Sequence, residues 1–144
     1  MSATVRILIA DDHALLRQAV KAILARELDG AVCGDAEDGD QVLAQVDGHH
    51  WDLVILDLTM PGRNGLDVLR DLKRIRPQLP VLVLSMHPED QFGKRALIAG
   101  AAGYMNKGSA PDELIKAIRL TLAGGRYVSP ALARTLGSDN RTPL

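Results

Sequence analysis

Five short β-prone runs recur along the 144 residues: VRILIA (5–10), AVCGDA (31–36), DLVILD (52–57), PVLVLS (80–85) and AGYMNK (102–107). They are mostly apolar on both faces, the pattern of strands in a parallel sheet covered by helices on each side. Longer segments of helical period separate them. Leu16, Ala19, Val20, Ile23 and Leu24 form one apolar stripe, and Val68, Leu69, Leu72 and Ile75 form another. Val42, Leu43 and Val46 mark a shorter helix between strands two and three. Phe92, Ala96 and Ala99 mark a poorly apolar fourth helix with Gly93 inside it. The fifth begins at SAPDEL, with Ser109 or Ala110 near the cap, Pro111 in the first turn and Asp112 and Glu113 at the positive dipole end. It runs to Ala123, before Gly124-Gly125. Right-handed crossovers turn this alternation into a doubly wound α/β sandwich of five strands and five helices. Beyond it, a short helix is expected over 130–136, and SDNRTPL reads as a linker or frayed end.

The chain is long enough for one domain with a substantial core. A net charge of −1 excludes a general electrostatic attraction to nucleic acid or anionic membrane. No apolar run approaches the ~20 residues of a membrane span. The start, MSATVRILIADD, ends its apolar run on two acids, unlike a secretory signal. The single cysteine, Cys33, cannot form an intramolecular disulfide and reads as buried filler in a reducing compartment. A cytoplasmic protein is expected.

In VILDLTMPGRNG (54–65) an apolar strand runs straight into an aspartate. On this window alone Asp57 reads as a turn residue. The other strand ends change that reading, because ligands of open α/β sheets bind beyond the carboxyl ends of the strands. Asp11 and Asp12 follow strand one, Asp57 closes strand three, Ser85 closes strand four and Lys107 follows strand five. Strand two, ending AEDGD, contributes no obvious member. Trp51 enters strand three six residues before Asp57, which places it about 20 Å from that rim.

Three carboxylates in one crevice repel one another unless something neutralises them. Lys107 supplies one positive charge, and an all-oxygen acidic site suits Mg²⁺ with retained waters. No His or Cys stands at zinc-ligand spacing; His13 reads as a helix-start residue, and His49-His50 as a loop at the opposite edge. A carboxylate, a hydroxyl, an ammonium and a hard cation suit phosphoryl transfer to Asp57, giving an aspartyl phosphate. Pro61-Gly62 and Gly65 shape the loop beside it, where Thr59 is close enough to lend a backbone carbonyl to the metal.

The motifs ADDH (10–13), ILDLTMPGRNGLD (55–67), VLSMH (83–87) and GYMNKG (103–108) resemble response-regulator receiver domains of bacterial two-component signalling, over residues 4–123. The resemblance implies a flavodoxin-like sheet of order 2-1-3-4-5 with five helices, a receiver domain over 1–123 and a linker over 124–144. It makes Asp57 the phosphoacceptor and Asp12, Asp57 and the Thr59 carbonyl direct Mg²⁺ ligands, with Asp11 assisting through water. Ser85 and Lys107 grip the phosphoryl group, and Tyr104 is the aromatic switch partner of Ser85. A sensor histidine kinase is the implied phosphodonor, and a homodimer on phosphorylation is compatible with it.

ADDH, VLSMH and GGRYVSPALA look more like the subfamily that precedes a LuxR-type helix-turn-helix domain. That domain is absent from this chain, so DNA would be bound only through it. The alternative is a stand-alone receiver acting through protein contacts or as a relay intermediate. Three positions depart from the family pattern: Met86 is bulky, Asn106 replaces an apolar residue, and Gly108 replaces the proline that often follows the lysine. A haloacid-dehalogenase-type phosphatase also uses an aspartyl phosphate, but Asp57-Leu58-Thr59 lacks the second acid that such an enzyme uses as acid/base.

Overall fold

The computed structural model describes residues 4–85, 89–108, 111–128 and Ala133. Strands β1 (Arg6–Ala10), β2 (Val32–Ala36), β3 (Leu53–Asp57), β4 (Val81–Ser85) and β5 (Gly103–Asn106) alternate with helices α1 (Ala14–Glu27), α2 (Gly39–Gly48), α3 (Gly65–Ile75), α4 (Glu89–Ile98) and α5 (Pro111–Leu122). A further strand, β6 (Tyr127–Val128), follows α5. All neighbouring strands are parallel, and the spatial order is β2-β1-β3-β4-β5-β6.

Side chains that alternate along the strands divide the interior into two cores. Leu8, Val54, Leu56, Val81, Val83 and Tyr104 meet α2, α3 and α4 on one face. Ile7, Ile9, Leu53, Ile55, Leu82 and Met105 meet α1 and α5 on the other. Every residue of β3 and β4 is buried, which accounts for their apolar sequences up to the terminal Asp57 and Ser85.

Local chemistry sets the helix ends. The Asp38 carboxylate accepts the Gln41 amide at 2.9 Å to start α2, while the Gln41 side chain accepts the Glu37 amide. Asn64 caps α3 by accepting the Leu66 amide. At the end of α5 the Gly125 amide donates to the Leu120 carbonyl and the Gly124 amide to that of Thr121, with Gly124 at φ +91°. These paired bonds form a Schellman motif, which turns the chain back toward the sheet.

That reversal creates a strand beyond the five expected. The Tyr127 amide donates to the Ala102 carbonyl, and Val128 stands in register with Tyr104. Gly103 permits the approach: a Cβ there would lie 2.9 Å from the Tyr127 carbonyl oxygen. Two residues are too few to show the alternation by which a strand is read from sequence.

Cys33 also differs from expectation. It is only half-buried, because β2 is an edge strand, and partial desolvation pushes its thiol pKa up. Among the described residues no peptide bond is cis. The expected α5 cap at Ser109 or Ala110, Met86, and the 130–136 helix apart from Ala133 lie outside the described residues, as does the SDNRTPL linker.

Candidate functional site

At the carboxyl rim of the sheet β1, β3 and β5 deliver their polar residues to one cluster. Lys107 Nζ lies 2.8 Å from Asp11 Oδ2 and 3.0 Å from Asp57 Oδ2, with all three side chains buried. Burial alone would lower the pKa of the Lys107 ammonium. Hydrogen bonds and charge from Asp11 and Asp57 outweigh that cost and raise it, so the lysine stays charged.

Asp57 is held from its other side by the loop that follows it. Its Oδ1 accepts the Thr59 amide at 2.9 Å and the Thr59 hydroxyl at 2.7 Å. The loop is drawn tight by Gly65, where a Cβ would lie 2.3 Å from the Leu58 carbonyl oxygen. Any side chain at 65 would push the backbone next to Asp57 out of place.

Asp11 is fixed by its neighbours in the β1–α1 turn. Its Oδ1 accepts the His13 amide at 2.8 Å, its own amide donates to the Ala36 carbonyl, and Arg17 donates to its carbonyl. Arg17 in turn lies 3.8 Å from Asp35 of β2, which also binds Lys21. Strand two therefore braces the rim indirectly.

His13 is the N-cap residue of α1, as its place in the sequence suggests, but its ring also joins the acids. Nδ1 stands 2.9 Å from Asp11 Oδ1 and 3.4 Å from Asp12 Oδ1. Sequence reasoning missed this ring contact and the Thr59 hydroxyl bond. The adjacency of His13 to Asp11-Asp12, and of Thr59 to Asp57 two residues before it, are the signals that could have found them.

Ser85 ends β4 fully buried, one residue past the Leu84 that pairs with Asp57. Tyr104 is also fully buried, in the core between the sheet and α4, in register with Val83. Ligand atoms of Asp11, Asp12, His13 and Asp57 lie within 4.8 Å of one another. Three carboxylates form a hard donor set that fits a divalent cation such as Mg²⁺.

A large open concavity lies elsewhere, at the amino edge of the sheet around Trp51, Asp52, Leu79 and Gly125. Trp51 is anchored there by donating to the Gln45 carbonyl, and His50 pairs with Asp52. Both expected loop histidines thus lie away from the acids.

Residues 7–119 match the response regulator receiver domain family. The chain belongs to that family. It is 41% identical over 140 residues to the response regulator GacA of Pseudomonas viridiflava, covering 96% of this chain and 65% of that protein. It is 37% identical over 137 residues to the transcriptional regulatory protein DegU of Brevibacillus brevis, covering 95% of this chain and 58% of that protein. A crystal structure of a LuxR-family two-component response regulator from Aurantimonas sp. SI85-9A1 superposes with a TM-score of 0.87 at 33% identity, over 95% of this chain and 98% of that one. The receiver chain thus spans about 65% or less of these curated relatives' length. Among the described residues no helix is long and apolar enough to cross a membrane.

Proposed function

We propose that Asp57 accepts a phosphoryl group from a sensor histidine kinase and that the resulting switch controls a DNA-binding output. The observation that carries this reading is the grip on Asp57: Lys107 at 3.0 Å on one carboxylate oxygen and Thr59 at 2.7 Å on the other. A carboxylate so held is oriented for in-line attack, and the ammonium offsets charge gathering on the equatorial oxygens. An Asp57 oxygen forms the new bond to phosphorus as the bond from phosphorus to the donor nitrogen breaks, and the donor imidazole keeps the electron pair.

Mg²⁺ would be held beside Asp57 by Asp12, Asp57 and the Thr59 carbonyl, with Asp11 assisting through water, and would supply further neutralisation of phosphoryl charge. In this reading Ser85 and Lys107 bind the phosphoryl oxygens. Ser85 and Tyr104 project to the same face of the sheet, by alternation from Val83, so a shift of Ser85 toward phosphate would be felt in the Tyr104 pocket beneath α4.

The expected boundary at 123 falls short, because Tyr127 and Val128 pair with β5; the receiver unit is assigned through β6, followed by a helix-turn-helix domain, in a cytoplasmic regulator that dimerises on phosphorylation. The DNA-binding assignment is supported by the name of DegU, a transcriptional regulatory protein, and by the LuxR-family description of the Aurantimonas structure. Incubation with acetyl phosphate and Mg²⁺, read by intact mass, tests the chemistry. Wild type gains one phosphoryl group and Asp57→Ala gains none; equal gain by both would overturn the assignment. Gel shift of promoter DNA by the native full-length protein, with and without phosphorylation, tests the output.

A further inference from the structure

The His13 ring has a place in the acid cluster that the phosphoryl-transfer reading leaves unused. We infer that His13 is a nitrogen ligand of the cation site, making this receiver favour a first-row transition cation, with Mn²⁺ the closest substitute for Mg²⁺. The inference rests on the proposed cation site and deepens it.

The geometry is that of neighbouring ligands. Adjacent donors around an octahedral ion with bonds of about 2.1 Å stand about 3 Å apart. His13 Nδ1 lies 3.4 Å from Asp12 Oδ1, a direct ligand of the proposed site, and 2.9 Å from Asp11 Oδ1, which assists through water. Backbone geometry sets this position, because the His13 amide donates to the same Asp11 oxygen at 2.8 Å. His13 performs no side-chain capping of α1, so the ring is not committed to the helix start.

Nδ1 now faces a carboxylate oxygen, which calls for a proton on Nδ1. Coordination requires that proton to sit on Nε2 instead. The exchange is open to a side chain that is 62% exposed. Lys107 Nζ, 3.5 Å from Nδ1, is the nearby cation that opposes a metal, and it is already held by Oδ2 of both Asp11 and Asp57. Imidazole adds little for Mg²⁺, which prefers oxygen, but contributes to the binding of Mn²⁺ and later first-row ions.

The test uses untagged protein and the metals alone. Calorimetric titration with Mg²⁺ and with Mn²⁺ is paired with pulsed electron paramagnetic resonance of bound Mn²⁺, for wild type, His13→Ala and Asp12→Asn. Wild type is expected to show ¹⁴N coupling to Mn²⁺. In His13→Ala that coupling disappears and the preference for Mn²⁺ over Mg²⁺ falls about tenfold, while Mg²⁺ affinity holds. Absence of ¹⁴N coupling in wild type, or its persistence in His13→Ala, overturns the assignment. If Asp12→Asn weakens both metals while His13→Ala changes neither preference nor coupling, only the imidazole ligand is wrong. If Asp12→Asn weakens neither, the cation site itself is misplaced and the inference falls with it.

Discussion

Lys107 and Asp57 meet at 3.0 Å from strands that are separated in the sheet by β4. Lysine thereby reaches across a neighbour to neutralise a carboxylate that is shut off from solvent. Replacing it with methionine leaves Asp57 and Asp11 buried without their shared ammonium. Breaking such a pair costs about 3–5 kcal/mol. Urea denaturation in EDTA should show a loss of this order for Lys107→Met, and added Mg²⁺ should recover part of it.

The same lysine predicts an alkaline limit. Its pKa is raised above the usual value of about 10.5, so its contribution to stability is fully present below that pH. The contribution is lost as pH rises through the higher folded-state value. Thermal melts of wild type should therefore fall relative to Lys107→Met only above pH of about 10.5. Parallel curves for the two proteins through that window would contradict the pairing.

Thr59 donates twice to one Asp57 oxygen, and only the hydroxyl bond depends on the side chain. Thr59→Val keeps the shape and the amide bond. We expect a loss of about 1–2 kcal/mol, the scale of a hydrogen bond to a charged group. Acetyl phosphate labelling should slow as the carboxylate becomes less well oriented. A Val variant as stable and as reactive as wild type would show the hydroxyl to be idle.

Trp51 stands at the amino end of β3 and Asp57 at the carboxyl end, about 20 Å away along an extended strand. Its indole is fixed by Gln45 and covered by Arg6, 5.1 Å from the ring centre, both remote from the acids. Tryptophan emission should barely change on titration with Mg²⁺. Strong quenching would place the cation elsewhere.

Gly103→Ala tests the sixth strand, since the new methyl would lie 2.9 Å from the Tyr127 carbonyl and 3.0 Å from the Leu82 side chain. Overpacking of this kind costs about 1–3 kcal/mol. Amide exchange should report loss of protection at Tyr127 while β1 and β3 remain protected.

Much of this architecture was legible because β1, β3, β4 and β5 are largely buried on both faces and their sequences are mostly apolar up to the polar residues at their ends. Asp11, Asp57 and Lys107 could be assembled from sequence because each closes or follows such a strand, and parallel strands place their ends on one rim. The failures share another cause. His13 reads correctly as a helix-start residue, yet the direction of its ring depends on the backbone bond to Asp11. Position alone offers the Thr59 carbonyl to a cation, whereas its hydroxyl turns back on Asp57 through a two-residue turn. β6 depends on a glycine in another strand and a helix ending, neither of which is a local β signal.

Asp57 and Lys107 are separated by 50 positions in the chain, and His13 and Lys107 by 94. A nascent polypeptide released only as far as β4 has every carboxylate of the cluster but no ammonium to accompany them. Synthesis must pass β5, and the α4 crossover must dock, before Asp57 acquires its neutralising companion. The buried acids are therefore neutralised only once β5 has joined the sheet beside β4.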